Sequence, residues 1–160
     1  MTGNHSLALR IAGWSSIVIA AAHAAGLIWA WSFFTSVGIE PDMRELATQG
    51  AALPYVFTLI AAAVFLVFGV YALAGAGDLR HPPLLRTGLF AVAAIYLFRA
   101  TFYEGFGAVR DGDATQIGFA LIALVVGLCY AYGAIAYHAM TTRTPTGHRR
   151  VNSQTGAGQG

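Results

Sequence analysis

The chain has 160 residues, of which 57% are hydrophobic and only 10% are charged. Charged residues occupy about 25% of the positions in soluble globular domains, so this composition excludes an ordinary soluble domain and indicates an integral membrane protein. The formal net charge is only +2, which excludes the strongly basic surface that nucleic-acid binding requires. The single cysteine, Cys129, excludes an internal disulfide and a CxxC redox pair.

Four apolar segments follow one another along the chain, covering about 7–34, 51–74, 84–103 and 117–140. Each has the roughly 20 residues that a helix needs to cross a bilayer core of about 30 Å. None shows the alternating pattern of a barrel strand, and lipid does not tolerate unpaired backbone groups, so all four are predicted to be helices. The predicted fold class is therefore all-α, an integral membrane four-helix bundle.

The connections and the end of the chain have a different composition. Glycines and prolines within residues 75–83 separate the second segment from the third, and residues 111–113 separate the third from the fourth. Residues 141–160 are polar and rich in Gly and Thr, which is typical of a disordered tail. We therefore expect one membrane domain over residues 1–140, followed by a cytoplasmic tail over residues 141–160.

The arginines are distributed unevenly between the two sides of such a bundle. Six lie on the side that holds both chain ends, and two lie in the connections of the opposite side. Because cytoplasmic loops carry an excess of basic residues, both ends are predicted to be cytoplasmic. The six are Arg10, Arg80, Arg86, Arg143, Arg149 and Arg150, and the two are Arg44 and Arg110.

Two ionisable side chains, His23 and Arg99, lie deep within the predicted spans. Such a group costs about 3 kcal/mol at the bilayer centre and is tolerated mainly where it faces the bundle interior, a partner group or water. His23 follows Arg10 by 13 residues, and Arg99 follows Arg86 by 13 residues. Both side chains are therefore expected at about 20 Å from the cytoplasmic boundary, in one polar layer nearer the outer side.

The third span extends this layer. Tyr96, Arg99 and Tyr103 follow helical spacings of 3 and 4 and so form one stripe, and Glu104 begins the outer end of the helix. One interpretation is an outward-facing pocket in which Arg99 meets an anionic or carbonyl group that His23 and the two tyrosines orient. The other is structural. Arg99 would then pair with Glu104 if the last helical turn widens, while His23 bonds a carbonyl on a neighbouring helix.

No metal or cofactor is predicted. His23 and His138 are separated along the bundle axis by more than about 15 Å of helix rise, which is too far to bind one haem from both faces. The sequence also lacks embedded carboxylate pairs, a serine triad and a phosphate loop. Tyr130 and Tyr137 lie seven residues apart on one face of the fourth span, where they either anchor and pack the helix or line a quinone or lipid groove.

Three short stretches carry a resemblance to a known group of proteins. They are YALAGAG at 71–77, LLR at 84–86 and IYLFR at 95–99. Together they resemble small uncharacterised four-helix bacterial inner-membrane proteins that are loosely similar to the DoxX-like families. The resemblance covers the second and third spans, about a third of the chain. It implies a four-helix bundle in a bacterial plasma (inner) membrane, without an agreed reaction.

Two functions from different classes fit these observations. The sequence favours a non-catalytic accessory or binding component, in which small-residue helix faces dock a larger membrane partner or a second copy of the chain. Those small residues are Ala12, Ser16, Ala20, Ala24 and Gly69. The alternative is a small membrane enzyme or carrier that acts on a lipid-like or quinone-like ligand in the pocket around Arg99. One cavity shared by His23 and Arg99 would favour the alternative.

Overall fold

The computed structural model describes residues 3–103 and 114–142, together with positions 107, 109, 110 and 112. Within these residues the chain forms helices joined by turns and contains no strand, as the sequence predicts. The helices are α1 (Gly3–Gly26), α2 (Ala30–Ser36), α3 (Glu40–Gln49), α4 (Leu53–Gly75), α5 (Leu85–Phe98) and α6 (Ala114–Thr142). A 3₁₀ turn (Leu27–Trp29) joins α1 to α2, and a π-helical segment (Arg99–Tyr103) continues α5.

Four stretches are long and apolar enough to cross a membrane, which confirms the number of candidate spans. They are Gly3–Ser36, Leu53–Gly75, Leu85–Phe102 and Ala114–Thr142. The observed bounds lie within a few residues of the predicted ones. At the predicted tail, α6 continues through Thr142, so the first two tail residues are helical, and residues 143–160 lie outside the described part of the chain.

The four long helices form a bundle in which α1 packs against α4 and α6, and α5 packs against α6. The contact between α4 and α5 is smaller. As a result α1 and α5 occupy opposite corners of the bundle. Large apolar side chains that are at least half exposed cover the outer faces, as expected of helices whose surroundings are lipid. Examples are Trp14, Val18, Ile28, Leu59, Ile60, Val67, Ile95, Leu121, Val125 and Ile135.

Glycines allow the helices to approach closely. A Cβ atom at Gly13 would lie 3.1 Å from the backbone oxygen of Gly69, and a Cβ at Gly69 would lie 2.9 Å from the backbone oxygen of Gly13. The backbones of α1 and α4 therefore touch at this crossing. Near the end of the bundle that holds Arg10, the fully buried Leu9 fills the space beside Gly133 on α6 and, together with Leu89 on α5, the space beside Gly75 on α4.

The small-residue face proposed for partner docking is largely internal. Ala12 and Ser16 are completely buried, and Ala20 is 6% exposed. Gly69 is buried as well, whereas Ala24 is exposed. The chain thus uses most of this face to assemble its own bundle.

Two features of the connection between the first two long helices do not follow from the apolar pattern. The first segment is interrupted at the 3₁₀ turn, where Trp29 has φ −124° and ψ 52°. The connection then forms α3, whose first turn holds Pro41 together with Glu40 and Asp42. Acidic residues and proline favour the beginning of a helix, because they suit the unpaired N–H groups and the positive end of the helix dipole.

Candidate polar cavity

His23 lies near the end of α1, three residues before Gly26. Its Nδ1 atom is 2.8 Å from the carbonyl oxygen of Ile19, one turn earlier on the same helix. A carbonyl oxygen only accepts hydrogen bonds, so Nδ1 carries the hydrogen and Nε2 is the acceptor of the neutral ring. The structural interpretation expected a carbonyl from a neighbouring helix instead. Because the bond is local, it fixes the ring and leaves Nε2 for a group outside α1.

The break in the first segment brings aromatic rings to His23. The ring centroid of Phe33, on α2, lies 5.8 Å from that of His23 in an edge-on arrangement, and the centroid of Phe65, on α4, lies 5.2 Å away. A Cβ atom at Gly26 would lie only 2.7 Å from the Phe33 ring, so glycine is needed there for α2 to fold back against α1. This packing holds the imidazole between two rings.

Arg99 begins the π-helical segment at the end of α5. Its guanidinium carbon lies 6.0 Å from the centroid of the Phe65 ring. π-Helical turns are rare and are frequent at functional sites, because the extra residue in the turn changes the direction of a side chain. The predicted pairing of Arg99 with Glu104 requires a widened last helical turn. The turn is widened, but Glu104 and the side chain of Tyr103 lie outside the described residues.

His23 and Arg99 lie at one level of the bundle, since both contact the ring of Phe65. The equal spacings from Arg10 and Arg86 predict this shared level. α1 and α5 are not adjacent helices. His23 and Arg99 can nevertheless line one space, because a cavity lies between their side chains.

Two cavities meet at this level. The core cavity has a volume of about 490 Å³ and extends toward α6, while the side cavity has a volume of about 1010 Å³ and lies between α3 and α5. Four residues line both: His23, Ile39, Asp42 and Arg99. Pockets for small molecules usually measure about 300–1,000 Å³ and combine apolar walls with a few polar groups, and this space has the same character.

The inner wall of the core cavity is part of a buried hydroxyl cluster at the centre of the bundle. Tyr96 lines the cavity and is 2% exposed. Its hydroxyl lies 3.0 Å from Ser16 Oγ, which in turn lies 3.1 Å from the hydroxyl of Tyr130. Tyr130 donates to the carbonyl oxygen of Phe68 at 2.8 Å, and its ring stacks on that of Tyr96 at 5.7 Å. The cluster links four helices and fixes the Tyr96 ring.

The hydroxyl cluster has fewer hydroxyl hydrogens than hydrogen-bond contacts. Ser16 Oγ also lies 3.0 Å from the carbonyl oxygen of Ala12, so three hydroxyl hydrogens serve four contacts. With the Tyr130 hydrogen on the Phe68 carbonyl, the Ser16 hydroxyl can rotate toward Ala12 or toward either tyrosine. When Ser16 donates to Tyr96, the Tyr96 oxygen is the acceptor of that bond; otherwise Tyr96 donates to Ser16.

The rim of the cavities is built by α3 and the residues before it. Gly38, with φ +77°, allows the chain to turn there, and Gln116 Nε2 on α6 donates to the carbonyl oxygen of Val37 at 3.0 Å. Glu40 accepts hydrogen bonds from Thr35 Oγ1 and from Arg44 Nε. These two bonds, the one from Thr35 first, hold the pKa of Glu40 below its usual value.

The guanidinium carbon of Arg44 lies 5.0 Å from the ring centroid of Trp31 on α2. Together with the Glu40 bonds to Arg44 and Thr35, this contact ties α3 to α2. A charged and hydrogen-bonded rim therefore holds Asp42 at the cavity.

A separate set of polar contacts lies at the opposite end. Arg10 Nε and Nη2 donate to the two carboxylate oxygens of Asp78 at 2.8 and 2.6 Å. The hydrogen bonds from Arg10 lower the pKa of Asp78. On the same end, Arg86 Nη2 lies 3.2 Å from Nε2 of His138. His138 is therefore engaged far from the cavity, while His23 lines it, consistent with the two histidines being too far apart for one haem.

The sequence predicts some of the residues around the cavities and does not predict others. His23, Tyr96 and Arg99 are brought together as expected. Ser16 and Phe65 were not identified as site residues, because a small hydroxyl and an aromatic ring in an apolar helix have no signature of their own. Tyr130, which the sequence allowed to line a groove, is instead buried among helices. Within residues 3–103 and 114–142, no three His, Cys, Asp or Glu side chains are grouped as metal ligands would be.

Comparison with known proteins gives no assignment: no family model, no curated protein and no solved structure matches this chain. The resemblance to DoxX-like proteins therefore stays a prediction.

Proposed function

We propose that this chain is a four-span protein of a bacterial inner membrane, with both ends cytoplasmic, that binds a lipid-like or quinone-like ligand as a carrier or small enzyme. The observation that carries the proposal is that His23 and Arg99 come from opposite corners of the bundle and line the same two cavities. An ionisable group at such depth is costly and is retained mainly where it serves a site.

The chemistry of the lining indicates the ligand. Arg99 has five N–H donors in a planar fork, so it can bind a ligand oxygen in addition to its contacts within the protein. His23 Nε2 accepts a hydrogen bond from a ligand hydroxyl, and the buried ring of Tyr96 forms part of the wall. Apolar side chains make up most of the remaining walls. A ligand with an oxygen-bearing polar end and an apolar body satisfies both parts.

The accessory function has less support from the fold. Four of the five small residues that would dock a partner are buried within the chain's own bundle. A larger membrane partner or a second copy would have to use the remaining large apolar side chains, which a lipid-facing surface carries in any case. Ligand binding is therefore the better supported of the two functions.

Binding measurements test the proposal. Purified protein in dodecyl maltoside micelles is titrated calorimetrically with two probes, oleate and decylubiquinone. At least one is expected to bind saturably to the unmodified chain. A hydrogen bond to a charged group contributes about 1.5–3 kcal/mol, so Arg99→Leu is expected to weaken that binding about 10- to 100-fold.

A matched control separates this effect from detergent partitioning. Arg86→Leu removes the same kind of side chain from the same helix, 13 residues away and at the opposite end of the bundle. It is expected to leave the affinity within about 2-fold of the unmodified protein, since a change of about 0.4 kcal/mol or less corresponds to that factor. Absence of saturable binding by both probes, or equal affinities in the two variants, would refute the proposed function.

A further inference from the structure

We propose that the ligand is a single-chain carboxylic acid of the outer leaflet, which enters sideways from the bilayer between α3 and α5. This inference rests on the proposed function and specifies the ligand class and the route. The side cavity, the polar groups where the two cavities meet, and the exposed apolar residues at its edge carry it.

The side cavity is suited to an apolar chain. Five apolar side chains line it, from Ile39, Met43, Ala94, Ile95 and Phe98, beside the three polar ones of His23, Asp42 and Arg99. A few polar groups among mainly apolar walls match an amphiphile with one compact head and one tail. With a volume of about 1010 Å³, the cavity reaches the upper end of the usual range for ligand sites.

The edge of the side cavity faces the surroundings of the bundle. Ile95 is 50% exposed and Phe98 is 62% exposed, and both belong to a stretch of α5 that is apolar enough to lie in lipid. An opening bordered by such residues admits an apolar chain at little cost, because the chain leaves one apolar environment for another. This apolar edge does not favour the entry of a water-soluble ligand.

A carboxyl group fits the meeting point of the cavities better than a head with only one kind of polar atom. His23 Nε2 accepts a hydrogen bond and Arg99 donates several, and a carboxylic acid supplies one O–H donor and a carbonyl acceptor on adjacent atoms. The ionised form fits as well if its proton resides on His23, because the imidazolium then donates. Asp42 lines both cavities as well, and its negative charge disfavours heads with more than one negative charge.

Photolabelling tests both the ligand class and the route. The full chain is reconstituted in phosphatidylcholine nanodiscs with a diazirine-bearing palmitic acid, and labelled peptides are identified by mass spectrometry. We expect labelling of the α5 wall at residues 94–98, which a tenfold excess of palmitate removes and the same concentration of hexanoate does not.

Replacing two exposed alanines, one at the side cavity and one away from both cavities, identifies the opening. Ala94 lines the side cavity from an exposed position, so Ala94→Trp is expected to reduce the competed labelling about tenfold, and Ala94→Leu to reduce it less. Ala63→Trp is the control, because Ala63 is also exposed but lies on α4 and lines neither cavity. Elution of each variant as a single symmetrical peak in detergent shows that the fold is retained.

The results separate this inference from the proposed function. Palmitate-sensitive labelling at Ile122 and Phe119 on α6 would mean that the acid binds from the other side, and it would overturn the route. Equal competition by hexanoate would overturn the need for a tail. Absence of competed labelling would overturn the acid itself, while decylubiquinone binding that depends on Arg99 would still support the proposed function.

Discussion

Replacing Gly69 by alanine tests the close crossing of α1 and α4. The added Cβ would lie 2.9 Å from the backbone oxygen of Gly13 and 2.6 Å from Cγ1 of Ile17. The Ile17 side chain can rotate away, but the backbone oxygen cannot. α1 and α4 must therefore separate by several tenths of an ångström along their contact, which loosens the buried side chains on both sides of the crossing.

The magnitude follows from two opposing terms. Overpacking a close contact costs about 1–3 kcal/mol, while replacing glycine by alanine within a helix gains up to about 1 kcal/mol. The second term can be measured separately at Gly118, also helical, where a Cβ would meet no atom within 4 Å. Gly118→Ala is thus expected to be neutral or stabilising. The difference between the two variants isolates the overpacking cost, which we expect to be about 1–3 kcal/mol.

Unfolding in mixed dodecyl maltoside and dodecyl sulfate micelles, followed by circular dichroism, measures this difference. The midpoint for Gly69→Ala is expected at a lower dodecyl sulfate fraction than those of the unmodified protein and Gly118→Ala. If Gly69→Ala were as stable as Gly118→Ala, the two backbones would not be in contact at this crossing, and the arrangement of α1 against α4 would be wrong.

Two further predictions concern polar contacts at the centre and at one end. Tyr130→Phe is expected to lower the free energy of unfolding by about 0.5–1.5 kcal/mol, and Ser16→Ala by at least as much, because Ser16 makes three of the four contacts in the hydroxyl cluster. The same unfolding assay measures both, and unchanged stability of Ser16→Ala would contradict the central position of Ser16 in the cluster. Since Arg10 lowers the pKa of Asp78, this pair stabilises the fold above the unfolded-state pKa of about 3.9 and is lost as the pH falls through the lower folded-state value. Asp78→Asn should therefore lose less stability between pH 6 and pH 3 than the unmodified protein, and an identical acid profile would rule out this contribution.

The features that the sequence predicts well are those fixed by the bilayer and by helix geometry. An apolar core of constant thickness sets the length of the spans, and a constant rise per residue puts His23 and Arg99 at one level. The position of Phe65 between them could not be predicted in the same way, because it depends on how α4 is rotated against its neighbours. A single apolar helix does not encode that rotation.

The apolar pattern hides two local features, of which only one has a signal in the sequence. Glu40, Pro41 and Asp42 form a recognisable start of a helix, so α3 was accessible from capping rules. The break after Gly26 was not, because glycine is common within membrane helices and is usually compatible with a continuous helix. Its effect depends on Phe33, whose ring occupies the space beside Gly26, and that is a tertiary contact.

The position of Leu9 has a mechanical consequence for the bundle. Because this side chain fills the gap at Gly133 and shares the gap at Gly75 with Leu89, α1, α4 and α6 cannot move apart at that end without emptying a filled space. We therefore expect displacements of these helices to be smaller near Leu9 than at the end that contains His23. Helix motion there can change the volume available to a ligand while the Arg10 end keeps its shape.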